Sequence, residues 1–87
     1  MGITKVYIVL CDWIDDINSV QGTDFIGVYE KPEDVKKAIF DSADEDVGRS
    51  KSYGYTPRLT DEHDGWLLKV EDDEGERVYK SIEEEVK

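Results

Sequence analysis

The chain has 87 residues and a mass of 10.0 kDa, enough for one domain and one modest core. Asp and Glu number 22 against 11 Lys and Arg, a net charge of −11, which argues against a nucleic-acid backbone or an anionic membrane as the main partner. One Cys excludes an internal disulfide framework and a Cys-rich zinc site, and no apolar run or basic leader suggests a membrane span or signal peptide, so a single soluble, cytoplasmic domain over 1–87 is expected.

Leu, Ile, Val and Phe number 22 of 87, above the roughly 20% expected of a disordered charged chain. Val and Ile number 16 and Ala and Leu only 6, a balance that favours pleated sheet over helix because β-branched side chains lose rotamer freedom in helices. Thr4 to Cys11 is a near-continuous apolar run and predicts a central strand covered on both faces. The stretch Asp12 to Gly22 mixes Trp13, Ile14, Ile17 and Val20 with three acids. It reads either as a short helix capped by Asp12 and ending at Gly22, or as an exposed Trp13 or Ile14 ringed by Asp12, Asp15 and Asp16 that anchors a basic partner.

Asp24 to Tyr29 predicts a second strand, with Gly27 marking either a close backbone approach or packing under a bulky neighbour. Pro32, Glu33 and Asp34 suit the first turn of a helix, and Val35, Ala38 and Ile39 form an apolar stripe, so a helix is expected over roughly 32–43. Asp41, Asp44, Glu45 and Asp46 then fall at or beyond its C-terminal end, where the helix dipole disfavours acids. They are either a functional surface or solvated loop. Residues 47–60 hold three bases and no acid, with two glycines and a proline, and predict a loop with a short edge strand near 53–58. Arg49, Lys51, Arg58, Tyr53 and Tyr55 there resemble a single-strand nucleic-acid platform, but in so acidic a chain they are expected to fold onto its own acids or onto a second copy.

Trp66, Leu68 and Val70 alternate with polar residues ahead of Asp73-Glu74-Gly75, which predicts a hairpin with Gly75 in a three-residue loop. The register that collects the apolar residues sets Val70 opposite Val78, Leu68 opposite Lys80 and Trp66 opposite Ile82. Residues 81–87 are expected to be a frayed acidic tail or one helical turn. The order β-β-α-(β)-β-β makes an α+β fold, a small antiparallel sheet of four to five strands with one helix packed across it.

Lys5 to Val9, Phe25-Ile26-Gly27-Val28-Tyr29, Lys31 to Ile39 and Asp64-Gly65-Trp66 resemble a type of small, uncharacterised bacterial and phage domain, in which a strand ending Gly-Val-Tyr runs into an acid-capped helix. The resemblance implies a fold and no catalytic residue, and the chain departs from it in the loop 44–62. In kind the chain also resembles acidic phage-encoded inhibitors: anti-CRISPR proteins, anti-restriction proteins and the uracil-DNA glycosylase inhibitors, whose hairpin Trp66 to Glu76 loosely resembles.

Chemistry has few candidates. Cys11 is expected to be buried and inert, and His63 lies in an acidic turn as a solvated histidine. Glu71 to Glu76 lacks calcium-loop spacing because Val70 stands where the first ligand belongs. No catalytic residue, metal site or cofactor is therefore expected. The expected function is a non-enzymatic module that occludes the basic surface of a nucleic-acid-binding enzyme or effector complex, with carboxylates in place of phosphates. The alternative is an immunity- or antitoxin-like regulatory partner of a basic protein. Neither binds nucleic acid or membrane directly, and the chain itself is a monomer or homodimer. The expected partner-binding residues are Asp12, Trp13, Asp15, Asp16, Asp41, Asp44, Glu45, Asp46, Asp72, Asp73 and Glu74. Clustering of the three acidic stretches on one face favours the mimic, and an even spread favours plain solubility.

Overall fold

Alternating apolar residues at the two ends of the chain decide the architecture, because the first and last long strands pair along their whole length. The computed structural model of the chain describes residues 4–86. Its elements are β1 (Thr4–Asp15), β2 (Val20–Tyr29), α1 (Pro32–Ser52), β3 (Arg58–Asp61), β4 (Leu68–Glu71) and β5 (Gly75–Val86). The strands form one antiparallel sheet in the order β2-β1-β5-β4-β3, with α1 across one face. This is the α+β fold expected, with five strands. No helix among the described residues is long and apolar enough to cross a membrane.

The core lies between α1 and the sheet. Val9 and Cys11 of β1, Val35, Ile39 and Ala43 of α1, Leu68 and Val70 of β4 and Tyr79 of β5 are buried. Each fully buried aliphatic side chain there contributes about 1.5–3 kcal/mol. Trp66 packs at the margin, its ring 5.7 Å from that of Tyr7 and under the ammonium of Lys36.

Several elements differ from the sequence expectation, each for a physical reason. Residues 12–22 are not a short helix: β1 continues to Asp15 and turns into β2. The Asp15 carboxylate accepts the backbone N–H groups of Ile17 and Asn18 and the Asn18 amide, and Ser19 takes the left-handed conformation with φ 55°. An Asx turn of this kind closes a hairpin without glycine. Gly22 then sits under the Trp13 ring, where an added Cβ would come within 2.6 Å of the indole. Gly27 lies under the Tyr29 ring in the same way, as its neighbours suggested. A bulge leaves Ile26 unpaired and turned into the core.

The helix runs to Ser52 rather than ending near residue 43. Its buried positions are Val35, Ile39, Ala43, Asp46 and Ser50, so the helical spacing continues after the apolar residues stop. Residues 44–52 are therefore not loop. Asp41 to Asp46 lie within the helix, and Arg49 and Lys51 occupy the last turn, where the dipole favours them. The edge strand β3 begins at Arg58, later than the 53–58 expected.

The β4–β5 register differs by one residue: Leu68 faces Tyr79, Lys69 faces Val78 and Val70 faces Arg77. The loop is two residues long, closed by hydrogen bonds between Asp72 and Gly75. A one-residue slip exchanges the faces of a strand, so Arg77 and Tyr79 turn toward the helix and Val78 turns away. Trp66 precedes β4 and does not pair with Ile82. Residues 81–86 are strand, paired with Thr4 to Val9.

Gly75 carries the tightest backbone approach. Its φ is 152°, and a Cβ there would stand 1.9 Å from the Ile14 carbonyl oxygen of β1. Gly75→Ala is expected to cost about 3 kcal/mol or more, read as a lowered urea midpoint with an unchanged slope.

Candidate functional site

The helix, the β4–β5 turn and β5 bring six hydrogen-bonding side chains together around one buried point. Arg77 donates Nε to Asp46 Oδ2 at 2.7 Å and Nη2 to Asp46 Oδ1 at 2.9 Å. It donates Nη1 to Asp72 Oδ1 at 3.0 Å and Nη2 to Asp72 Oδ2 at 2.8 Å. The planar guanidinium thus grips two carboxylates, each through two bonds. Tyr79 donates its hydroxyl to Asp46 at 2.7 Å, Arg49 donates to the same carboxylate, and Ser50 donates to Asp72 at 2.6 Å. The backbone N–H groups of Glu74 and Gly75 complete the shell of Asp72. The Asp46 and Asp72 side chains are each only 2% exposed. Every buried side-chain nitrogen and oxygen among the described residues has a partner.

The electrostatics follow from these bonds. Hydrogen bonds from Arg77 outweigh burial and hold the Asp72 carboxyl well below the usual carboxylate range, with Ser50 and the Glu74 N–H assisting. Burial works against the Asp46 carboxylate, but Arg77, Tyr79 and Arg49 together overcome it and its pKa is lowered. Burial and the bond to Asp46 raise Tyr79, so its hydroxyl stays a donor. Burial pushes the Cys11 thiol up to about 11, leaving it protonated and weakly nucleophilic at neutral pH.

In front of the network lies a cleft of about 590 Å³ between α1 and the β1–β2 ribbon. Trp13, Ile14, Ile26 and Tyr79 supply its apolar lining, and Asp15, Asp24, Glu45 and Glu74 its carboxylates. The turns that carry Asp15, Asp16, Asp73 and Glu74 touch, because the Asp16 N–H donates to the Glu74 carbonyl at 2.7 Å. Among the described residues, Asp16, Asp24, Glu45, Asp73 and Glu74 make no ion pair. The two bases of the cleft, Arg49 and Arg77, are already committed to Asp46.

The eleven expected residues therefore do not share one face. Asp46 and Asp72 are internal, bound to Arg77. Asp15 closes its own turn, and Trp13 is half-buried over Gly22 rather than an exposed anchor. Asp12 lies on the sheet face opposite α1, bonded to Lys80 and Thr23. Asp41 pairs with Lys37 on the exposed side of the helix, where Asp44 is also exposed. Glu45 and Glu74 line the cleft, with Asp16 and Asp73 on the adjoining turns. Arg77, Tyr79 and Ser50 were absent from the sequence expectation, whereas Arg49, expected to fold onto the chain's own acids or onto a second copy, bonds to Asp46. The signal available for Ser50 and Asp46 was their helical spacing from Ala43.

His63 lies in a second, more open depression with Tyr7, Trp66, Lys80 and Glu83, of about 450 Å³. Among the described residues no three His, Cys, Asp or Glu side chains are grouped to hold a metal ion. The chain matches no protein-family model, no curated protein and no solved structure.

Removing Arg77 strands two buried carboxylates, so Arg77→Met is expected to destabilise by about 3–5 kcal/mol in urea titration. Because Asp72 and Asp46 titrate lower in the folded chain than when unfolded, their contribution is present above about pH 4 and lost as pH falls through the folded values. Asp72→Asn is expected to be about 2–3 kcal/mol less stable than the wild type at pH 7, with the gap narrowing steadily below pH 4.

Proposed function

We propose that the chain is a non-enzymatic, acidic protein-binding module of the phage or mobile-element inhibitor kind. In this reading it acts in the cytoplasm by occluding the basic nucleic-acid-binding surface of a defence or DNA-processing protein. The observation that carries the reading is the carboxylate set Asp16, Asp24, Glu45, Asp73 and Glu74, without ion pairs among the described residues and drawn from two turns, β2 and α1 to one end of the molecule. Two points of physics support it. Glu45 stands on α1 and Asp73 and Glu74 on the β4–β5 turn, both tied down by the Arg77 network, so little ordering entropy is lost there when a partner's lysines and arginines meet them. A net charge of −11 also steers basic surfaces inward and speeds encounter, most strongly at low salt.

The residues expected to bind are thereby narrowed. Asp46, Asp72, Asp15 and Asp12 hold the fold, and Glu45, Asp73 and Glu74 with Asp16 and Asp24 face the partner. Immobilised protein is expected to retain a nucleic-acid enzyme or effector complex from a host lysate at low salt, release it in a narrow salt window and lose it to competing DNA or RNA. The double reversal Glu45→Lys/Glu74→Lys is expected to weaken capture about tenfold or more, whereas Glu33→Lys/Asp34→Lys, with the same net charge, leaves it within about twofold. Equal loss in both doubles reduces the effect to net charge and defeats the reading. Retention of a basic toxin that nucleic acid does not displace favours the immunity-like partner instead.

A further inference from the structure

The sheet has two faces and the described residues form one helix, so among them nothing covers the second face. On that face Ile8 and Leu10 of β1, Phe25 and Val28 of β2, and Ile82 of β5 lie side by side on three adjacent strands, with the Asp12–Lys80 pair between them and Val78. Phe25 is 66% exposed, Val28 51% and Ile82 43%. A contiguous apolar surface of this kind marks an interaction site more often than a solvated face.

The charges say what covers it. The charged side chains of this face are Asp12 and Lys80, which pair at 2.6 Å, Lys69, which bridges Glu71 and Glu76, Arg58 across from Glu71, and Glu84. Four carboxylates and three bases leave it at −1, against −11 for the whole chain. Two such acidic molecules repel through nearly every other approach, since screening acts only beyond about 8 Å at physiological ionic strength. A basic partner gains no charge complementarity on this face and finds it instead at the acidic end beside α1.

We propose that the open face of the sheet is a homodimer interface, with a second copy of this chain packed on it face to face. A two-fold axis along β1 sets Val28 of one copy over Ile82 of the other, stacks Ile8 and Leu10 on their own counterparts, and lays the Phe25 ring over the alkyl stem of Lys80. Three strands of up to twelve residues offer a flat footprint of about 14 by 40 Å before side-chain relief, on the scale of the ~800 Å² per partner that a standard interface needs. The result is a two-layer sandwich of sheets about 10 Å apart, with a helix outside each sheet and the two acidic clefts left free.

Sedimentation equilibrium tests this. The mass is expected to move from the 10.0 kDa chain toward about 20 kDa between about 1 and 200 µM protein. The dimer is expected to tighten as NaCl rises toward about 0.5 M, because salt screens the mutual repulsion of two acidic chains. Phe25→Glu is expected to weaken the dimer at least tenfold while circular dichroism and the urea midpoint stay near wild type. Phe40→Glu, at an exposed apolar position on α1, leaves association unchanged. A chain that stays monomeric at the highest protein and salt overturns the proposal, as does a dimer insensitive to Phe25→Glu. Binding of a monomer to neutral phosphatidylcholine vesicles, abolished by Phe25→Glu, overturns it in favour of a lipid surface.

Discussion

The guanidinium of Arg77 holds together parts of the chain that apolar packing alone would not join. It bonds to Asp46 on the helix and to Asp72 beside the β4–β5 turn, residues that lie 31 and 5 positions away in sequence. Taking one cation and two carboxylates out of water is costly, and the cost is met only because both carboxylates are bound through two bonds and Ser50, Tyr79, Arg49 and two backbone N–H groups fill the remaining sites. A half-satisfied version of the same cluster would be worse than an apolar core.

Three features of the fold follow from that cluster. The last two turns of α1 carry a single core-packed apolar residue, Val47, so Asp46 and Ser50 supply most of what seats them on the sheet. The β4–β5 register places Val70 opposite Arg77, sacrificing a Val70–Val78 pair in order to bring the guanidinium inward. The turn residue Asp72 is bound to Arg77 and to the backbone of the turn, and Gly75 passes so close to β1 that no side chain fits. Register, helix length and turn geometry are therefore one problem with one solution.

The acidity of the chain divides into two uses. Some carboxylates are structural: Asp46 and Asp72 inside, Asp15 at the β1–β2 turn and Asp12 paired with Lys80. Others remain unpaired where the two turns meet beside the helix, and these give the molecule a polarity between an acidic end near α1 and a nearly neutral sheet face behind it. The proposed dimer and the proposed capture of a basic partner need not compete, because they draw on opposite faces of the sheet.

By itself the sequence determined the class and the order of elements, since Val and Ile enrichment, strand-length apolar runs at Thr4 to Cys11 and Asp24 to Tyr29, and the Pro32-Glu33-Asp34 opening are local signals. Gly27 under a large neighbour was legible for the same reason. Only the tertiary structure decided the extent of the helix, the hairpin at residues 12–22, the register of β4 on β5 and the fate of the last strand. In each case the deciding contact is distant in sequence. Asp46 reads as functional surface or solvated loop until Arg77 faces it, and the run Asp44-Glu45-Asp46 reads as lying at or beyond the end of the helix until its buried face is known. Residues 81–86 look like a frayed acidic tail until β1 pairs with them along its length. Hydrophobic periodicity reports only burial among apolar neighbours, and at the decisive positions of this chain burial is achieved by charge pairing instead.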